Sequence, residues 1–369
     1  MIVRDEADTI GGCLDSCREL IDTWVICDTG SIDATRELIA QRLAGVPGEL
    51  HEREWVDFAH NRSELMALAQ DRADHLLLLD ADWTIEAEAG ALDCLTADAY
   101  MVRHAGPVEF HNKRLVSGRI PWRYVGATHE YIVSEEERSC ERLHGLEIHV
   151  RSTGGERKGR WERDAQLLEQ ELERSPDDPR ATFYLAQTYR DMARQSGSRE
   201  LLERAMHLYA RRTALNGWIE ETYCAWHQTG VLSAELGAWP AAVEALTCAW
   251  ELRPERLEAT YELIVGLRTR SRYRTAHRLA SIAASLQSLP VPEDNLFVSP
   301  WIYRWGLLFE YSIACYWVGD LDASIAACER LLELDELPDT HRAQTERNRR
   351  HAIDAKARAI AERAAALPA

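Results

Sequence analysis

Between residues 75 and 82 the chain reads His75-Leu76-Leu77-Leu78-Leu79-Asp80-Ala81-Asp82. Four leucines in a row are too few for a helix that stands alone. They suit a central strand buried on both faces, as in a parallel sheet with helices on either side. The run stops at two carboxylates one residue apart. Side chains alternate along extended backbone, so Asp80 and Asp82 are expected to leave the strand end on the same side. Two adjacent acids repel, and a divalent cation beside them would relieve that repulsion. A solvated Asp turn is the plainer reading of the same residues. In open α/β sheets, ligands bind beyond the carboxyl ends of the strands.

The flanking segments repeat this pattern. Trp24-Val25-Ile26-Cys27 reads as a strand running into Asp28-Thr29-Gly30-Ser31-Ile32-Asp33, with a helix from about Thr35. Gly30 permits a sharp turn and leaves Asp28 at the strand end. Phe58-Ala59-His60-Asn61-Arg62 opens another helix, for which Asp57 is placed as an N-cap. Further on come a strand at Ala99–Arg103, a basic and aromatic loop from His111 to Arg123, and the segment Gly126 to Tyr131 containing His129-Glu130. A strand at Leu146–Val150 carries His149 and precedes Arg157-Lys158-Gly159-Arg160. Strands alternating with helices predict an α/β domain over residues 1–155.

From Trp161 the texture changes to helices only. Ala242 and Ala276 occupy matching places thirty-four residues apart, the period of a tetratricopeptide repeat. We therefore expect an all-α repeat domain over 156–340 and a capping helix over 341–369. The helical spacing of Trp301, Tyr303, Trp305, Phe309, Tyr311, Tyr316 and Trp317 places most of them in a core, with one or two free to line a groove.

Charge and cysteine usage narrow the partners. Forty-three basic residues against 61 acidic ones leave a net charge of -18, which argues against nucleic acid and against an anionic membrane surface. No apolar run approaches the roughly 20 residues of a membrane span, and the N-terminus lacks a signal-peptide core. Nine cysteines without metal-finger spacing fit a reducing, cytoplasmic setting.

The first half resembles a glycosyltransferase of family 2, with the nucleotide-sugar-binding, Rossmann-like α/β fold called GT-A. The resemblance rests on Met1–Glu6, the Asp28–Asp33 turn, Phe58–Arg62, Asp80-Ala81-Asp82, and Gly126 with His129-Glu130. The late strand with His149 and the repeats after it are similar to a branch carrying C-terminal tetratricopeptide repeats. The chain departs from the usual pattern at Trp83-Thr84, where an acid often follows. The resemblance implies a UDP-sugar donor and Mn²⁺ or Mg²⁺ held by Asp82, with His149 completing the site. It puts Asp28 near the base, Asp80 near the ribose, and Glu6 and Arg62 in the nucleotide pocket. Lys158 and Arg160 would close over the diphosphate. Glu130 would be the base of an inverting transfer, oriented by His129, with Asp57 the second candidate beside its N-cap role.

A small acceptor would not need so many helical repeats, so a polypeptide side chain is the expected acceptor. The repeats could instead form a homodimer interface. Three other readings stay open: a small-molecule or glycan acceptor, a nucleotidyltransferase (for which no glycine-rich triphosphate loop is present), and a catalytically inactive repeat scaffold that binds a partner.

Overall fold

The computed structural model describes residues 1–126, 128–150, 159–286 and 290–365. It divides into two compact units, one of Met1–Leu201 with Asp294–Phe297, the other of Leu202–Glu293 with Val298–Ala369. The division falls near residue 201, later than the boundary expected at 155, because the first two long helices belong with the sheets.

The first unit runs β1 (Ile2–Val3), α1 (Ile10–Cys17), β2 (Trp24–Asp28), α2 (Thr35–Arg42), β3 (Gly48–Glu52), α3 (Phe58–Ala69), β4 (His75–Leu77), β5 (Trp83–Ala87), β6 (Ala99–Ala105), β7 (Phe110–Ser117), β8 (Arg123–Val125), β9 (Tyr131–Val133), β10 (Cys140–Val150), α4 (Arg160–Arg174) and α5 (Pro179–Ser196). Strands β1, β2 and β3 form a small parallel sheet. Val3, Ile10, Leu14, Ile26, Ile39 and Leu43 bury together between it and the neighbouring helices, with the amphipathic pattern of α1 expressed as packing.

The leucine run does not form the expected central parallel strand. Only His75–Leu77 is extended, and it lies at the edge of a second sheet ordered β4-β7-β6-β10-β5. There it pairs antiparallel with β7, Leu76 opposite Val116. Two backbone bonds explain the choice: Asp71 N–H donates to Gly118 O at 2.8 Å and Gly118 N–H to Asp74 O at 2.9 Å. A Cβ on Gly118 would strike the carbonyl of Ala73, so the absent side chain lets β7 close on β4. The supposed basic loop after His111 is mostly this strand. One doubly wound sheet over residues 1–155 is therefore not what forms. A three-stranded parallel sheet and a mixed five-stranded sheet stand in its place.

After α6 (Arg199–Thr213) come α7 (Ile219–Glu235), α8 (Trp239–Leu252), α9 (Glu258–Thr269) and α10 (Tyr273–Leu286). A π-helical turn, Ile302–Gly306, leads into α11 (Leu307–Val318), α12 (Leu321–Leu332) and α13 (Asp339–Ala365). Helices α7 and α8, α9 and α10, and α11 and α12 pack as successive pairs. Small residues set the approach. A Cβ on Gly230 of α7 would lie 2.5 Å from Leu246 of α8, and Gly266 of α9 faces the Trp239 ring. Ala242 and Ala276 are both fully buried, as the repeat period predicts. Among the described residues no helix is long and apolar enough to cross a membrane.

Candidate functional site

Most of the residues singled out from the sequence gather in the first unit. Glu6, Arg62, Asp80, Asp82, Trp83 and Trp161 line a cleft of about 830 Å³. Helix α3 aims Arg62 into it. The Asp57 carboxylate accepts from His60 N–H at 2.7 Å and caps the helix, as its place predicts. Buried Asn61 then ties the approach down, accepting from Val56 N–H at 2.9 Å and donating to Glu54 O at 2.8 Å.

Arg62 joins two acids far apart in sequence. Its Nη2 lies 2.6 Å from Asp80 Oδ1 and its Nε 2.7 Å from Glu130 Oε1. Burial alone would push the Asp80 carboxyl up, but the charges of Arg62 and Arg114 outweigh it and hold the group below its usual value. Asp80 is thus already paired with a cation, and that cation belongs to the protein. Glu130, expected as a free base, is engaged in the same ion pair. Asp80 and Asp82 sit in the turn between β4 and β5, not at the tip of a strand.

The other expected residues are distributed differently. Thr9 donates to Glu6 Oε2 at 2.9 Å. The Asp28 Oδ1 accepts from the N–H groups of Gly30 and Ser31 at 2.9 Å each, so this oxygen shapes the turn. His129 stacks on Tyr184 with centroids 4.1 Å apart. His149 does not reach Asp82: Val150 lines the cleft, while the His149 Nε2 lies 3.6 Å from Glu86 on neighbouring β5. Lys158 lies outside the described residues, and so does the side chain of Arg160. Sequence reasoning passed over Arg114, whose guanidinium lies 4.4 Å from the Trp83 ring centroid. Alternation along 110–117 was the signal for it, hidden once that segment read as a loop.

The second unit holds a separate polar constellation. Helix α9 packs against both α7 and α11, so the first helices of successive pairs are neighbours. Charged groups join them. Tyr223 of α7 donates to Glu258 Oε2 of α9 at 3.2 Å. Arg268 of α9 meets Glu310 of α11 through both carboxylate oxygens, at 2.5 and 3.1 Å. Beside this pair, burial and the nearby Glu310 charge push the Glu262 carboxyl up to about 7. None of these residues was singled out from sequence, because single acids on helices carry no spacing signal.

No family model matches the chain. A curated relative, a TPR repeat-containing protein of Synechococcus elongatus, is 34% identical over 143 residues, which cover 36% of this chain and 34% of the relative. The chain thus spans about a third of that relative's length. Among solved structures it is similar to MamA (TM-score 0.38, 16% identity, 49% of this chain and 91% of that one). It is also similar to BtubC from P. vanneervenii (TM-score 0.42, 14% identity, 53% and 82%). A third is YrrB, described as a TPR protein with an unusual peptide-binding site (TM-score 0.38, 12% identity, 51% and 84%).

These findings correct the glycosyltransferase reading. The curated relative is named for its tetratricopeptide repeats, and the leucine strand joins an antiparallel edge instead of a doubly wound sheet. The UDP-sugar, Mn²⁺ or Mg²⁺ at Asp82, and Glu130 as a transfer base were what that resemblance implied. The repeat half of the expectation stands.

Proposed function

We propose that this chain is a repeat-containing binding protein that holds an extended polypeptide along the face formed by α7, α9 and α11. The observation that carries this reading is the polar cluster of Glu262, Arg268 and Glu310 on adjacent first helices. An extended peptide presents backbone N–H and C=O groups that need partners. Repeat arrays offer such peptides a continuous surface of stacked helices. Arg268 is fixed by two bonds to Glu310 yet keeps 26% of its side chain exposed, so it can donate without being reordered first. Glu262, with its carboxyl raised to about 7, is part-protonated near neutral pH, and in that form it can donate to a carbonyl.

The test is an array of immobilised random and natural peptides probed with the full chain and with Glu262→Ala. A discrete set of peptides should bind the native chain, and the variant should bind that set at least tenfold more weakly. Retention of no peptide above background would sink the proposal. So would equal binding by the variant.

A further inference from the structure

Helices α10 and α11 and the start of α12 bring three potential ligands together. His277, Cys315 and Asp320 each offer one ligand atom, and these atoms lie within 4.8 Å of one another. Their convergence follows from local chemistry. Gly319, with φ of 83°, ends α11 in the left-handed conformation, which glycine adopts without strain. The chain then reverses, and Asp320 N–H donates to Cys315 O at 3.0 Å. The Asp320 Oδ1 accepts from Ala323 N–H at 3.2 Å, capping α12. That bond occupies one carboxylate oxygen lone pair and leaves others available.

Two features mark the group as more than chance proximity. Cys315 is fully buried. The His277 Nε2 is buried and has no hydrogen-bond partner among the described residues. The ring is held by a face-to-face arrangement with Tyr311, centroids 5.9 Å apart and planes 20° from parallel. A buried imidazole nitrogen without a partner is costly, and a metal ion would satisfy it.

We propose that His277, Cys315 and Asp320 form a site for a single borderline-soft divalent transition metal of the Zn²⁺ class. Imidazole nitrogen, thiolate sulfur and carboxylate oxygen are the donors such ions take, with bonds of about 2.0–2.3 Å in a tetrahedral arrangement. A tetrahedral site at those lengths needs ligand atoms about 3.5 Å apart. Side-chain adjustment from the observed spacing supplies that. Three protein ligands leave the fourth position to water. Binding takes the form Cys–SH + M²⁺ → Cys–S⁻–M²⁺ + H⁺, releasing one proton to solvent. The ion would pin α10, α11 and α12 together. The site is independent of the peptide reading, and metal binding can be measured without any peptide.

The experiment uses the full chain, stripped with a chelator and titrated with Co²⁺. One equivalent should give the sulfur-to-cobalt charge-transfer absorption of a thiolate ligand, and excess Zn²⁺ should remove it. Cys315→Ser should abolish the absorption, while His277→Gln and Asp320→Asn should each weaken Co²⁺ binding at least tenfold. Circular dichroism confirms that each variant folds. Should Cys315→Ser not fold, the two other variants decide. No absorption from the native chain overturns the site. So does absorption that survives in Cys315→Ser, which would trace it to another of the nine cysteines, or affinity unchanged in both His277→Gln and Asp320→Asn.

Discussion

Arg268 holds Glu310 across the gap between α9 and α11 by two hydrogen bonds, at 2.5 and 3.1 Å. Glu310 keeps only 3% of its side chain exposed, so this arginine is the acid's main compensation. Removing the cation leaves the carboxylate uncompensated in a low-dielectric setting. We expect Arg268→Ala to destabilise the second unit by about 3 kcal/mol, measured by urea unfolding. The double variant Arg268→Met/Glu310→Met should recover most of the loss, because burying neither charge costs less than burying one.

Glu262 sets a pH dependence of opposite sign to that of an ion-paired acid. Burial and Glu310 raise its carboxyl from 4.5 to about 7. Between those values the unfolded chain has lost the proton that the folded chain keeps, so stability falls as pH rises through this window. Glu262→Gln should flatten that slope and be the more stable form at pH 8. Thermal melts at closely spaced pH values would show it, and parallel curves for the two proteins would refute the assignment.

His104 works in the acid range. Its ring stacks on Phe110 at 4.3 Å and meets Trp83 edge-on at 4.9 Å. Burial, aided by the Arg114 charge, pushes its pKa from 6.5 down to about 3. The unfolded chain binds a proton below pH 6.5 that the folded chain refuses, so this group's contribution to stability is lost as pH falls toward 3. His104→Phe should move the acid-unfolding midpoint to lower pH, followed by near-ultraviolet dichroism.

Arg62 ties α3 to Asp80 and to Glu130, whose side chains are 25% and 12% exposed. Arg62→Ala would remove the ion-pair partner of both acids at once and should cost about 3–5 kcal/mol. Replacing all three together by Met, Asn and Gln should restore most of the stability. A triple variant as unstable as Arg62→Ala would show that the arginine acts by packing against Tyr124, 5.6 Å from its guanidinium carbon, and not by charge.

What the sequence determined by itself is what local chemistry controls. Asp57 before Phe58 caps α3 because a carboxylate one residue ahead of a helix can reach its free N–H groups. Asp28 and Gly30 make their turn from bonds within three residues. Ala242 and Ala276 announce the repeat because close helix pairs need small residues at a fixed period. The leucine run shows the limit. Its composition marks a strand, but its partner was decided by Gly118, some forty residues on, which alone allows β7 to approach. Strand pairing is a contest between distant segments, and hydrophobicity does not name the winner. The same holds for Arg62 with Glu130, for Arg268 with Glu310, and for His277 with Cys315 and Asp320. Each is an ordinary residue on its own element, and only the packing of those elements turns it into part of a site.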